Sequence, residues 1–270
     1  MSERRAGITG TLYRQRGLLG VLVGRELKAR YRGTFLGFLW SLLNPLLLLA
    51  VYTVVFTLVI PARVPTHVPY PLFLFAGLLP WLFASGALLD AAIVLPDNGP
   101  LLKKVVCPPE VFPAVTVLAH LVHHLLALPI LLVAVAVASA LGVMPVPWTF
   151  LLFPLPLLLW VVAVGGLVMA VSALAVHFRD LKDLLQNLLN LGFFLTPIVY
   201  SPRQVPAGIL RHGVLLNPAT PLMTVYRDVV LYGTLPPLST WLWACAVAAG
   251  SWVFGAVVFS RLRDTLAETV

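Results

Sequence analysis

The sequence predicts an all-α polytopic membrane protein, and three observations point to that fold class. First, 60% of its 270 residues are hydrophobic and only 10% are charged, whereas soluble domains carry about 25% charged residues. Second, long apolar runs alternate with short polar or proline-rich segments. Third, lysine and arginine concentrate in segments on one side of the predicted membrane. The formal net charge of +8 therefore indicates topology and not nucleic-acid binding.

Six transmembrane helices are predicted, because each apolar run has at least the roughly 17 residues that cross a bilayer. They cover residues 34–60, 71–94, 111–140, 148–176, 184–200 and 238–260. An even number of spans puts both termini on one side, which the positive-inside rule makes the cytoplasm. The basic residues that then fall outside are Arg63, Arg203, Arg211 and Arg227. We expect cytoplasmic segments at 1–33 and 263–270 around a transmembrane domain at 34–262.

The segment before the first span predicts an amphipathic helix over residues 11–32. Its basic face holds Arg14, Arg25, Lys28 and Arg32. Its apolar face holds Leu12, Leu19 and Val23. Arg16 and Arg30 fall on the apolar side and weaken the pattern. Such a helix is typical of the membrane interface, and docking on a partner remains an alternative.

The first and fifth spans each carry a stripe of small, polar and aromatic residues at helical spacing. Lipid offers an amide no hydrogen-bond partner, so such a stripe faces protein or a pore. Two interpretations stay open from the residues alone: a translocation path, or helix packing through small residues that include Gly33 and Gly37. The candidate path residues are Ser41, Asn44, Tyr52, Phe56, Asn187, Asn190, Phe194 and Tyr200.

The segment 201–237 is apolar but broken by prolines, and it predicts two short helices near 207–216 and 219–232. Each is too short to span a bilayer. Arg211 and Arg227 would each cost about 3 kcal/mol at the bilayer centre. We therefore expect them at the outer surface or beside protein. The segment is either an outer loop on the lipid surface or a re-entrant element that lines a cavity.

The chain contains no G-x-x-x-x-G-K-[ST] motif and so lacks a Walker A phosphate loop. If transport is ATP-driven, a separate subunit must hold ATP and Mg²⁺, and we expect no cofactor on this chain. The loop between the second and third spans is the predicted contact surface, with a short helix capped by an Asp or Asn and stopped by prolines. The candidate coupling residues are Asp97, Asn98, Leu101, Lys103, Lys104, Pro108 and Glu110. A plain positive-inside loop is the alternative.

Other polar residues allow different functions. His120 and His124 have a spacing that can ligate a metal, but no acidic or cysteine ligand shares their span. We therefore predict no metal site and favour hydrogen bonds between helices. Asp180 and Asp183 suit Mg²⁺ at a sugar nucleotide, which keeps a membrane glycosyltransferase as an alternative, although basic neighbours favour an ion-paired turn. An ion-coupled flippase would use charged residues within spans, such as Asp90.

Four short motifs, in this order, resemble the permeases of ABC exporters for polysaccharides, the group that carries O-antigen, capsule and teichoic acid. The first is YRG, LG, W and NP within residues 31–45. The second is FRD at 178–180, and the third is LTPIVY at 195–200. The fourth is NP followed by YR within 217–227. The resemblance covers nearly the whole chain.

The resemblance implies a homodimeric permease that works with two copies of a separate ATPase subunit and is not itself an enzyme. Its implied cargo is a polysaccharide on undecaprenyl phosphate, moved outward across the inner membrane. The resemblance favours an O-antigen and leaves capsule and teichoic acid open as alternatives. It also implies a path built from the first and fifth spans, a coupling helix within 97–110, and an interface helix with Arg25, Lys28 and Arg32. Segment 201–237 becomes a re-entrant helical gate between spans five and six, with the candidate residues Pro218, Tyr226, Arg227 and Asp228.

Overall fold

The computed structural model describes residues 8–59, 68–99 and 107–269. Those ranges are built from helices joined by short turns. The helices are α1 (Ile8–Arg14), α2 (Arg16–Tyr31), α3 (Trp40–Val54), α4 (Tyr70–Asp97), α5 (Val111–Ala140), α6 (Pro154–Ala175), α7 (Leu181–Leu195), α8 (Ile209–Leu216), α9 (Ala219–Arg227) and α10 (Leu238–Thr269).

Four of these helices are long and apolar enough to cross a membrane: α4, α5, α6 and the Leu238–Arg263 part of α10. They correspond to the predicted second, third, fourth and sixth spans, which are confirmed at this level. Proline stands in the first turn of both α4 and α6, where its missing N–H removes no intrahelical hydrogen bond. Each helix can therefore begin sharply at a proline.

The first and fifth predicted spans are shorter in the structure. Helix α3 has 15 residues and starts at Trp40 instead of residue 34. Helix α7 also has 15 residues and ends at Leu195 instead of residue 200. Fifteen residues rise about 22 Å, less than the roughly 30 Å of a hydrocarbon core. A π-helical turn, Val55–Val59, extends α3.

The late start of α3 has a backbone cause. Gly33 and Gly37 adopt φ values of 78° and 51°, in the left-handed region that glycine enters without a Cβ clash. They turn the chain between α2 and α3, and a Cβ at either position would meet no described atom within 4 Å. Within this chain the pair therefore forms a turn and does not pack one helix against another.

Close packing through glycine occurs instead between α6 and α10. A Cβ placed on Gly255 would lie 1.8 Å from the carbonyl oxygen of Gly166, and one on Gly166 would lie 2.2 Å from that of Ser251. The two backbones touch at this crossing, which small residues permit in membrane helix pairs. Neither glycine belonged to a motif recognised in the sequence.

Besides the main hydrophobic core, a smaller apolar cluster packs one end of the bundle. We call this end the basic end. The cluster joins α2 to the nearby ends of α4, α5, α6 and α10 through residues that include Leu19, Leu95, Val111 and Phe259. The predicted amphipathic helix is two helices, α1 and α2, that meet at Gln15. Its apolar face, with Leu12, Leu19 and Val23, packs on this chain's own bundle. Helices α8 and α9 lie at the opposite end.

Candidate functional site

An aromatic cavity lies between α3, α4 and α7. Its volume is about 300 Å³. The Tyr52 ring stacks on Phe193 with centroids 5.7 Å apart. Trp81 meets the same phenylalanine edge-on at 6.2 Å, and Phe194 meets it at 5.1 Å. Four aromatic rings from three helices thus form a continuous cluster.

Polar groups share this cavity with the rings. Ser85, Gln186 and Asn190 line it. The Gln186 amide donates to the Asn190 side-chain oxygen at 3.2 Å. Aromatic faces provide apolar contact and the amides provide donors and acceptors, which together match the two chemical sides of a sugar ring. This arrangement suits weak, repeated contacts with a polymer.

The structure brings together only some of the predicted path residues. Tyr52, Asn190 and Phe194 line the cavity. Asn44 and Asn187 are exposed on α3 and α7 outside it, and Ser41 is buried. The Tyr200 hydroxyl donates to the Leu195 carbonyl at 3.2 Å, beyond the end of α7. The Phe56 side chain lies outside the described residues.

Among the aromatic and polar residues of the cavity, sequence reasoning missed Trp81, Phe193, Gln186 and Ser85. Gln186 and Asn190 are four residues apart on an apolar helix, a signal that was available. Phe193 is buried against the core, and Trp81 belongs to α4, which carries no polar stripe. Only the packing of α4 against α3 and α7 places that tryptophan at the cavity. Gly192 permits the approach, since a Cβ there would lie 3.1 Å from the Trp81 ring.

Arg227 holds segment 201–237, the predicted gate, to the rest of the protein. Its side chain is buried, with 4% of its surface exposed. It donates hydrogen bonds to the carbonyl oxygens of Pro197 and Ile198. Its guanidinium carbon also lies 3.8 Å from the centre of the Phe73 ring. The sequence predicted that Arg211 and Arg227 lie either at the outer surface or against other parts of the protein. Arg227 packs against the protein, whereas Arg211 is exposed.

Asn217 and Tyr70 also fix the same region. The Asn217 amide donates to the Leu195 carbonyl and to the Thr196 hydroxyl, both at 3.2 Å. The Asn217 side-chain oxygen accepts from the Ala219 N–H at 2.9 Å and so caps α9. The Tyr70 hydroxyl donates to the Val199 carbonyl at 3.0 Å. The LTPIVY motif and the NP–YR motif are therefore direct structural partners.

Tyr226 anchors α9 in the core of the bundle. Its side chain is fully buried. The His124 Nδ1 lies 3.3 Å from the Leu79 carbonyl, so this nitrogen carries the proton and donates. The other ring nitrogen then accepts from the Tyr226 hydroxyl, also at 3.3 Å. The predicted use of the histidines for hydrogen bonds between helices is confirmed at His124, and the described residues contain no group of metal ligands.

A larger cavity of about 890 Å³ lies behind the gate, between α8, α9 and the start of α10. Arg211, Arg227, Asp228 and Trp243 are among its lining residues. Of the other predicted gate residues, Pro218 is exposed at the start of α9. The cavity lies beside the contact between α9 and α10, at the end of the bundle opposite the basic end.

The predicted coupling loop is described in part. Asp97 is exposed at the end of α4. The Asn98 amide donates back to the Val94 carbonyl at 2.8 Å and so closes α4. Pro108 is half-buried. Leu101, Lys103 and Lys104 lie outside the described residues.

Glu110 differs from the other predicted coupling residues because its side chain is fully buried. Its Oε1 lies 3.0 Å from Arg263 Nη1 of α10, an ion-pair distance. A buried carboxylate offers no surface to a partner subunit. Its position instead joins the start of α5 to α10.

The basic face of α2 is open. Arg25, Lys28 and Arg32 are exposed, as the sequence predicted. Arg30 points the other way and pairs with Asp90 of α4. The residue that weakened the amphipathic pattern therefore has a specific partner within the bundle.

Comparison with known proteins assigns the family. The model of the ABC-2 type transporter family matches residues 17–231, more than half of the chain. The chain belongs to this family. A relative from Myxococcus xanthus, described as O-antigen export system permease protein RfbA, is 38% identical over 96% of this chain and 97% of its own length. A protein of the same description from Klebsiella pneumoniae is 31% identical over 81% of this chain and 82% of its own length.

Membership of the ABC-2 family confirms the prediction of an ABC transporter permease. It also makes the chain a multi-pass membrane protein that works with a separate ATP-binding subunit. The glycosyltransferase alternative is not retained, because the family consists of transporters. An ion-coupled flippase is likewise not retained, because ABC transporters use ATP.

Proposed function

We propose that this ABC-2 permease exports a lipid-linked polysaccharide, an O-antigen, outward across the inner membrane. The observation that most directly supports this proposal is the aromatic cavity between α3, α4 and α7. Stacked rings beside amides form a surface suited to sugars. The match along nearly the full length of an O-antigen export permease supports the same cargo class.

The permease works as a homodimer in this proposal. Asn44, Asn187 and Asn190 are exposed on α3 and α7 in the single chain. Amides at membrane depth need partners that lipid does not supply. A second copy facing α3 and α7 would enclose these amides together with the exposed Phe194 ring. The enclosed space would be a polar and aromatic path for the polymer, and α8 and α9 would form a re-entrant gate over its outer end.

The energy comes from two copies of an ATPase subunit at the basic end. The chain has no Walker A motif of its own. The exposed basic face of α2 lies at this end, as do the described ends of the loop, residues 98–99 and 107–110. The positive-inside rule makes it cytoplasmic, with both termini on that side. ATP and Mg²⁺ would then bind only to the partner.

The test is co-expression of this chain with a Walker-A ATPase subunit from the same organism, followed by purification through a tag on this chain. We expect the two proteins to co-purify, to hydrolyse ATP, and to restore surface O-antigen to cells that lack this gene. A catalytically dead partner, altered in its Walker A lysine, is the control and should abolish export. ATP hydrolysis by this chain alone would refute the proposed division of labour.

A further inference from the structure

Arg30, Asp90 and His120 form a polar cluster near the basic end of the bundle. The Arg30 guanidinium donates to Asp90 Oδ2, and His120 Nε2 donates to the same oxygen at 2.7 Å. Glu26 lies 3.8 Å from Arg30, one turn earlier on α2. Three helices, α2, α4 and α5, thus meet at one carboxylate oxygen.

The residues around Asp90 accommodate its contacts with Arg30 and His120. Asp90 interrupts the apolar sequence of α4, a membrane-spanning helix, and a carboxylate there needs a partner. Gly86 lies one turn before it, and a Cβ at that position would be 2.6 Å from the His120 ring. The glycine therefore leaves room for the histidine beside α4. The side chains of Arg30 and Asp90 keep 32% and 36% of their surface exposed, so the pair can still separate and reform.

A second ion pair stands on the other side of the coupling loop. Arg263 of α10 contacts the buried Glu110 at 3.0 Å, where the loop enters α5. Leu19, Leu95 and Phe259 belong to the apolar cluster that packs this end of the bundle. The loop 98–110 is therefore bordered by α4, which is paired with α2, and by α5, which is paired with α10.

We propose that Arg30 and Arg263 are positioning residues for ATP-driven export. Through Asp90 and Glu110 they fix α2 and α10 to the two helices that flank the loop 98–110. Movement of an ATPase subunit bound at α2 is then delivered to α4 and α5. This inference rests on the proposed function. It assigns to α2 a mechanical role in addition to lying at the membrane surface.

Local space supports the movement of α2. A cavity of about 210 Å³ lies between α2, α4 and α5, with Arg25, Asp90 and Thr116 among its lining residues. Helix α2 therefore contacts the bundle through the ion pair and the apolar cluster, with open space between them. When the ion pair is removed, α2 is held to the bundle by the apolar cluster alone.

The experiment uses the permease and its ATPase subunit, reconstituted in liposomes with lipid-linked polysaccharide purified from the same cells. The measured quantity is polysaccharide translocated per ATP hydrolysed. The variants are Arg30→Gln, Asp90→Asn and Arg263→Gln, with the charge swap Arg30→Asp/Asp90→Arg. Arg16→Gln and Arg261→Gln are matched controls, because both arginines are exposed and neither has an ion pair with a described residue.

We expect complex assembly and ATP hydrolysis to persist in the single variants, while translocation per ATP falls roughly five- to tenfold, the usual scale of coupling between sites. The charge swap should recover much of the loss, and Arg30→Lys should stay near the wild-type ratio. An unchanged ratio overturns the inference, as does a swap no better than the single variants. If a single variant does not insert into the membrane, the translocation ratios of Arg30→Lys and of the charge swap are compared instead. Absence of ATP-dependent translocation in the wild-type complex would instead refute the proposed function.

Discussion

The guanidinium of Arg227 packs face-on against the ring of Phe73, with 3.8 Å between the guanidinium carbon and the ring centre. The same group donates to the carbonyls of Pro197 and Ile198. A single buried side chain therefore connects α9, α4 and the segment after α7. This connection makes α9 part of the bundle and not a free surface loop.

Replacing Arg227 with methionine should destabilise the protein. The change removes two charge-assisted hydrogen bonds, each contributing about 1.5–3 kcal/mol, and leaves buried carbonyls without donors. We expect the melting temperature in detergent to fall by roughly 5 °C or more, given about 2–4 °C per kcal/mol for chains of this size. Arg211→Met is the control, because Arg211 is exposed. Equal melting temperatures for the two variants would contradict the assigned role.

Gly77→Ala should be destabilising for a related reason. An added Cβ would lie 2.0 Å from Arg227 Nη2 and 3.2 Å from the Ile198 carbonyl oxygen. The cost should shrink in an Arg227→Met background, since residues in contact are not additive. Gly213→Ala on α8 is the control, because nothing described lies within 4 Å of its Cβ. Full additivity of the double variant in thermal unfolding would show that the clash is not with Arg227.

Gly255→Ala should separate α6 from α10. The new Cβ would meet the backbone of Gly166, which cannot move aside as a flexible side chain would. Overpacking of this kind costs about 1–3 kcal/mol. Gly250→Ala on the same helix meets no described atom within 4 Å and serves as the control. Thermal unfolding of both variants in detergent measures the difference, and equal stabilities would argue against the close crossing.

The neighbours Phe193 and Phe194 separate packing from transport. Phe193 is 8% exposed, so alanine there leaves a void and should lower both stability and export. Phe194 is 64% exposed in the single chain, so alanine there should slow export while the melting temperature stays nearly constant. Tyr52→Ala should slow export as well. Polymer export is measured in cells, and the melting temperature is measured on the solubilised protein. If Phe194→Ala lowers both, that ring belongs to helix packing.

Cysteine labelling tests the orientation of the bundle. We expect Leu235→Cys to react with a membrane-impermeant maleimide in intact cells, and Asp97→Cys and Asp180→Cys to react only after permeabilisation. All three positions are exposed in the structure. The native Cys107 and Cys245, neither of which is in a disulfide, are first replaced with serine. Labelling of Asp97→Cys in intact cells would overturn the proposed topology.

The sequence by itself determined the fold class, the positions of α4, α5, α6 and α10, and the basic end. These properties follow from local composition: apolar length sets a span, and the distribution of lysine and arginine sets its orientation. The motifs that resemble polysaccharide exporters pointed to the family that the comparisons show. Three of the predicted path residues, Tyr52, Asn190 and Phe194, each belong to a helical stripe that is visible in the sequence, and all three line the cavity.

Only the tertiary structure decided which helices face each other. The Arg30–Asp90 pair joins positions 60 residues apart, and no local pattern links them. Trp81 enters the aromatic cavity because α4 packs between α3 and α7. Arg227 is buried because the turn after α7 presents two carbonyls to it, whereas Arg211, on a helix of similar composition, remains exposed. Hydropathy is summed along the chain, but a hydrogen bond or ion pair depends on the distance between two atoms, which packing alone sets.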